Sequence, residues 1–174
     1  MAVSRKVAFV GGLAASTAAL VWMESLPHGA ILRFELAATR GTAGAVLHDW
    51  TRLDLADDYV RRDFAYLATY WLPPFAAAGW AASRHAARGR HAWARRGRWV
   101  AALPVCAAGL DAVENAFLLR QVAEAQRVGP LVYGATGPAH LAPLAAVAAA
   151  SKFLLLLLVV AYVAGALVPP GRAS

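Results

Sequence analysis

The stretch WVAALPVCAAGLDAVENAFLL, from Trp99 to Leu119, decides the fold expected for this chain. As an α-helix it is long enough to cross the ~30 Å hydrocarbon core of a bilayer. Asp111, Glu114 and Asn115 lie in its second half, at spacings of three and four residues that place them on one helix face. Acidic side chains inside a membrane helix cost free energy, so they face protein or a cavity and often mark a functional pathway.

The composition of the whole chain is typical of a membrane protein. Of its 174 residues, 60% are hydrophobic and 16% are charged, which is more apolar than a soluble domain usually is. The formal net charge is +7, but the arginines that cause it are concentrated in one segment. They therefore indicate topology and contact with anionic lipid, and nucleic acid is not an expected partner. The one cysteine, Cys106, excludes an intramolecular disulfide and a CxxC site.

Four apolar stretches predict an all-α membrane protein, a four-transmembrane-helix bundle in which residues 1–174 form a single domain. The predicted spans cover about residues 7–26, 64–83, 99–119 and 141–168. The first follows Arg5 and Lys6, as a signal peptide would, but a retained span is favoured because no clear A-x-A cleavage site follows. Pro73 and Pro74 are expected to kink the second span.

Two segments between the spans have distinct characters. Residues 30–62 are predicted to form an external amphipathic helical segment, in which Val46, Trp50 and Leu53 fall at helical spacing. The segment from Arg84 to Arg98 contains six arginines and is predicted to be a cytoplasmic loop by the positive-inside rule.

This basic segment sets the expected location and partners of the chain. With it in the cytoplasm, both termini are cytoplasmic and the chain is a multi-pass protein of the inner or plasma membrane. The lipid bilayer is then the general partner, and anionic lipid is expected at the basic segment. His85 and His91, which lie within the segment, are expected at the surface.

Helix geometry predicts that polar residues of different spans meet at one depth. At ~1.5 Å per residue, Asp111 and Glu114 stand roughly 18 and 22 Å above the cytoplasmic end of the third span. Lys152 stands about 24 Å above that of the fourth span, and Tyr70 and Tyr66 about 20 and 26 Å above that of the second. The predicted ligand-binding residues are Asp63, Tyr66, Tyr70, Asp111, Glu114, Asn115 and Lys152.

Three functions are open for this polar layer. The leading hypothesis is a cavity that binds or moves a proton or a small cationic or amphiphilic ligand, because the acids of the layer, joined by Glu24 or Glu35, outnumber Lys152. The second is acid/base catalysis on a lipid-like substrate, with Asp111 and Glu114 as the candidate catalytic residues. The third is structural or partner binding, in which the polar cluster holds the helices in register. Whether the chain is an enzyme stays open.

Cofactor motifs are absent from the sequence. No P-loop and no Rossmann glycine pattern occurs, so no cofactor is expected. A hard-oxygen metal site formed by Asp63, Asp111, Glu114 and His140 is chemically feasible. The HExxH and ExxH spacings that would favour such a site are missing, and no metal site is predicted.

Several of these positions together resemble a family of membrane proteins. They are FELA at Phe34 to Ala37 with Trp50 downstream, the D-F-x-Y pattern at Asp63 to Tyr66 with Tyr70, LDAVENA at Leu110 to Ala116, and Lys152-Phe153. The pattern resembles small four-span bacterial integral membrane proteins of uncharacterised function. The resemblance implies the four-span architecture and the proximity of these positions, and it implies no activity.

Overall fold

The computed structural model describes residues 10–18, 21, 28–50 and 52–168, and their regular secondary structure is helical throughout. Helix α1 is described at residues 10–18, and half of the predicted first span, including Glu24, lies outside the described residues. The helices that follow are α2 (His28–Glu35), α3 (Arg40–Asp49), α4 (Leu53–Tyr70), α5 (Leu72–Ala87), α6 (His91–Val128), α7 (Pro130–Thr136) and α8 (Leu141–Leu167).

Two of the described helices, α6 and α8, are long and apolar enough to cross a membrane. Helix α8 has nearly the bounds predicted for the fourth span. Helix α6 is much longer than the predicted third span, and its 38 residues correspond to a length of about 57 Å. It continues beyond Leu119 because Val122 and Ala125 extend its buried face, and it ends at Gly129, whose φ of 89° breaks the helix.

The double proline separates two helices, whereas a kink within one was expected. Helix α4 ends at Tyr70 and α5 begins at Leu72, so the predicted second span, residues 64–83, is divided between them. Pro73 and Pro74 lie in the first turn of α5. Backbone N–H groups there have no partner within the helix, and proline is tolerated at that position.

The segment predicted as a basic loop is mostly helical. Helices α5 and α6 form a hairpin whose turn covers residues 88–90, with Gly89 at a φ of 72° that glycine adopts readily. Arg88 donates hydrogen bonds to the carbonyls of Ala166 at 2.6 Å and Val168 at 2.7 Å. Arginines of the segment therefore satisfy carbonyl groups that the end of α8 leaves unpaired.

The predicted external segment, residues 30–62, is divided among α2, α3 and the first half of α4. Helix α3 begins with a capping box, in which Thr42 donates its backbone N–H to the Thr39 hydroxyl at 3.1 Å. It crosses α7 so closely that a Cβ atom on Gly44 would lie 2.6 Å from the Cα atom of Gly134. Glycine is therefore required at this crossing.

Val46, Trp50 and Leu53, which fall at helical spacing in the sequence, do not lie on one continuous helix, because α3 ends at Asp49 and α4 begins at Leu53. All three side chains nevertheless pack into or against the main hydrophobic core. The Trp50 ring contacts the Phe34 ring edge-on, with centroids 5.2 Å apart. This core fixes α2, α3 and the start of α4 against α6, and thereby places Glu35 near the polar face of α6.

Candidate functional site

The polar face of α6 meets a single lysine of α8. The Lys152 ammonium donates a hydrogen bond to Oδ1 of Asp111 at 2.7 Å, and its Nζ lies 2.8 Å from Oε2 of Glu114. Small side chains one turn away, Ala148 and Ala149, are buried and let the two helices approach closely. The structure therefore brings together these three residues, as helix geometry applied to the sequence predicts.

A third carboxyl approaches Lys152 from outside the two long helices. Oε2 of Glu35, the last residue of α2, lies 3.5 Å from the Lys152 Nζ. Sequence reasoning left Glu24 and Glu35 as alternatives and placed neither among the ligand-binding residues. The FELA stretch was the available signal, but only the packing of α2 on α3 and α8 identifies Glu35.

Helix α4 contributes a fourth carboxyl to the same region. Asn115 of α6 donates its side-chain amide to Oδ2 of Asp63 at 2.6 Å. On the next turns of α4, the rings of Tyr66 and Tyr70 are stacked with centroids 5.1 Å apart, and the Tyr70 hydroxyl is buried without a hydrogen bond from the described residues.

We refer to this set as the acid cluster. It comprises Glu35, Asp63, Tyr66, Tyr70, Asp111, Glu114, Asn115 and Lys152.

The α6 and α8 side chains of the acid cluster are buried, and the cluster is rich in carboxyl groups. Glu114 is 0% exposed and Lys152 is 5% exposed. Oε1 of Glu114 has no hydrogen-bond partner among the described residues, and its Oε2 contacts Lys152 without the geometry of a hydrogen bond. Three carboxyl groups thus contact one ammonium group, and a fourth, that of Asp63, is bonded to the neighbouring Asn115. A buried carboxylate oxygen without a hydrogen-bond partner is costly.

The Glu35 carboxyl has its own electrostatic environment. Burial raises the pKa of Glu35 above its ordinary value of 4.5, and the charge of Lys152 opposes that increase. The nearby Asp111 and Asp63 carboxyls add to the increase. Protonation of Glu35 in the fold is therefore easier than in the unfolded chain.

The geometry does not support the metal site that the sequence left feasible. His140 precedes α8 and stands about 18 Å from Lys152 along the helix axis. In the part of the chain that the structure describes, no group of three or more His, Cys, Asp or Glu residues is arranged to hold a metal ion. Asp111 and Glu114, the candidate catalytic residues, both face Lys152.

Sequence reasoning missed a second buried polar pair. The Tyr133 hydroxyl of α7 donates to Oε1 of Gln121 on α6 at 2.9 Å, and both residues are almost fully buried. The pair attaches α7 to α6 beneath α3 and has no charge of its own. No pattern in the sequence signals it, because the two residues pair across the helix break at Gly129.

The basic hairpin also differs from its prediction. His85 was expected at the surface, but it is 2% exposed and packs against the rings of both Trp93 and Tyr162, which also contact each other. A pocket of about 510 Å³ adjoins it. Helical rise places the α8 residues that line this pocket about 14–20 Å from Lys152, so the pocket is separate from the acid cluster. No protein-family model, curated protein or solved structure matches this chain.

Proposed function

We propose that the chain is a multi-pass membrane protein whose acid cluster binds or moves a proton or a small cationic ligand. The observation that carries this proposal is an excess of carboxyl groups: three contact one buried ammonium group, and a fourth, that of Asp63, is bonded to the neighbouring Asn115. Such a cluster needs compensating positive charge, which protons or a bound cation supply. The proposed bilayer core excludes water and makes that need stronger.

The exposure of the long helices supports a membrane location. Only 28% of the most apolar 18-residue stretch of α8 is buried, whereas most of a core helix in a soluble protein would be buried by the rest of the chain. Large apolar side chains on its outer surface include Val147, Leu154, Leu157 and Val160. We propose four crossings, with α1 and the α4–α5 pair supplying two more, and with the hairpin turn at residues 88–90 on the cytoplasmic side.

The route into the acid cluster is proposed to pass along α4. Asp63, Tyr66 and Tyr70 are only half-buried, while Glu114 and Asn115 behind them are closed off. The stacked tyrosine rings present π faces, to which organic cations are attracted. This edge favours a small ligand with a cationic head, and an amphiphile would leave its tail along the apolar helix surface.

A structural role for the cluster is the second candidate. Its support is that Lys152 joins α2, α6 and α8, while Asn115 joins α4 to α6. Buried polar groups of this kind set helix register in membranes. The two candidates require different behaviour of the Glu114 carboxyl. A structural network requires it to stay ionised, whereas a binding site requires it to exchange a proton or a cation.

The test measures binding of alkyltrimethylammonium ions to the protein in nanodiscs by calorimetry. Glu114→Gln is expected to retain the fold and to weaken binding about tenfold, which corresponds to ~1.4 kcal/mol. Glu124→Gln is the matched control on the same helix, since Glu124 pairs with Arg127 at the surface, and it should bind as the wild type does.

A double variant separates the site from the structural network. Asp111→Asn combined with Glu114→Gln should leave a folded protein that no longer binds the cation. Misfolding of this double variant, together with no cation binding by the wild type, would favour the structural role and contradict the proposed function.

A further inference from the structure

The pocket at the basic hairpin is built from groups that recognise anions. It lies where the turn of the α5–α6 hairpin meets the last turns of α8. Its volume is about 510 Å³, and its polar and aromatic lining comes from His85, Arg90, His91, Trp93 and Tyr162. We call this region the arginine end, comprising these residues with Arg84 and Arg88.

The His85 imidazole lacks partners in this pocket. Its side chain is 2% exposed, and neither ring nitrogen has a hydrogen-bond partner among the described residues. The Tyr162 ring lies 5.0 Å from the imidazole, measured between ring centroids, and its hydroxyl donates instead to the Trp93 carbonyl at 2.9 Å. A buried imidazole almost always has a hydrogen-bond partner, so a ligand in the pocket would supply what the chain does not.

The positive charge at this end has no acidic counterpart in the sequence. No Asp or Glu occurs at residues 64–110 or 125–174, which include all of α5 and α8 and the first half of α6. Arg84 and Arg90 each donate to a backbone carbonyl near the end of α8, at 3.1 Å in both cases. A carbonyl dipole does not neutralise a guanidinium charge, and each guanidinium has five N–H donors.

The arginines also affect one another. Desolvation, followed by the charges of Arg84 and Arg90, lowers the pKa of Arg88. Bringing these side chains together at the end of α8 therefore leaves a local excess of positive charge. An anion in the adjoining pocket would relieve that excess.

We propose that the pocket at the arginine end binds a phosphate group, which His85 recognises from its floor and Arg90 and His91 from its rim. Phosphate fits because it is doubly or singly anionic and accepts several N–H donors at once. The group belongs either to an anionic phospholipid headgroup or to a free phosphate compound. The site is independent of the acid cluster, and it is more specific than the general attraction of arginines to anionic lipid.

The experiment uses the full chain and two phosphate probes. Retention of phosphatidylglycerol against phosphatidylcholine is measured by native mass spectrometry from nanodiscs containing both, at high salt, where exposed charges are screened. Inorganic phosphate is titrated into the detergent-solubilised protein while the imidazole ¹⁵N resonances are recorded. We expect selective retention of phosphatidylglycerol or a saturable shift of the His85 resonances.

The two arms identify the source of the phosphate. Lipid retention without a response to inorganic phosphate assigns a phospholipid headgroup, whereas a shift of the His85 resonances by inorganic phosphate assigns a free phosphate compound. His85→Phe and Arg90→Gln should each reduce the observed binding at least fivefold. His48→Phe, at an exposed position on α3, is the matched control and should have no effect.

Folding is checked by circular dichroism, and Arg90→Gln carries the test if His85→Phe does not fold. Unchanged phosphatidylglycerol retention in a folded Arg90→Gln variant would overturn the proposal, because the exposed arginines alone would then account for the lipid. Absence of both lipid selectivity and a phosphate-dependent shift in the wild type would overturn it as well.

Discussion

The acid cluster and the arginine end both involve helix α8, and their charged side chains have opposite kinds of partner. Around Lys152 the unlike charges are side chains in direct contact, and the carboxyls exceed the ammonium. Around Gly165 and Ala166 the arginines donate to backbone carbonyls, and Arg84 also lies over the Trp80 ring. Each region therefore has an excess of charge of one sign, and we infer that a ligand of opposite charge compensates it in each.

The largest expected effect is that of Lys152→Met. Removing the one cation leaves four carboxyls in a buried site, and breaking a buried pair in this way costs about 3–5 kcal/mol. The variant should unfold at a much lower temperature in detergent, or fail to assemble. Arg88→Gln removes a cation from the arginine end and should lower the unfolding temperature far less, because Arg88 is only half-buried and donates to carbonyls at the end of a helix. Equal effects of the two substitutions would contradict the contrast between the regions.

Helix periodicity predicted the contacts of Lys152 because Asp111 and Glu114 share a helix face and because helical rise fixes depth. The same reasoning missed Glu35 and His85. Glu35 reaches the cluster through the tertiary packing of a short helix. His85 is buried by Tyr162, which is distant in sequence, whereas its local sequence is rich in solvated arginine. The extra length of α6 was not predicted. An apolar stretch indicates which residues could lie within a bilayer, but it does not indicate where the helix itself begins or ends.

The hydrogen bond from Asn115 to Asp63 is expected to have the next largest effect. A hydrogen bond to a charged group contributes about 1.5–3 kcal/mol, so Asn115→Leu should destabilise the protein by about that amount. A double-mutant cycle with Asp63→Leu, measured by chemical unfolding, isolates the pair. A coupling energy near zero would mean that Asp63 lies beside Asn115 without stabilising the protein through this hydrogen bond.

A smaller effect is expected from Glu35 and depends on pH. Its raised pKa in the fold means that its contribution to stability is present below the unfolded value of 4.5 and is lost as pH rises through the folded value. The unfolding midpoint of the wild type should therefore fall relative to that of Glu35→Gln as pH rises across this window. If the unfolding midpoint of Glu35→Gln instead falls relative to that of the wild type as pH rises, the attraction of Lys152 for the carboxylate outweighs the cost of burying it.

The charge state of the acid cluster is the most direct test of the proposal that it holds a proton or a cation. Infrared spectroscopy of the protein in nanodiscs distinguishes protonated from ionised carboxyl groups. At neutral pH and without organic cations, we expect a protonated-carboxyl band that disappears when a saturating alkyltrimethylammonium ion is added. The band should be weaker in Glu114→Gln and unchanged in Glu124→Gln. Four ionised carboxyls with no bound cation would contradict the proposed function.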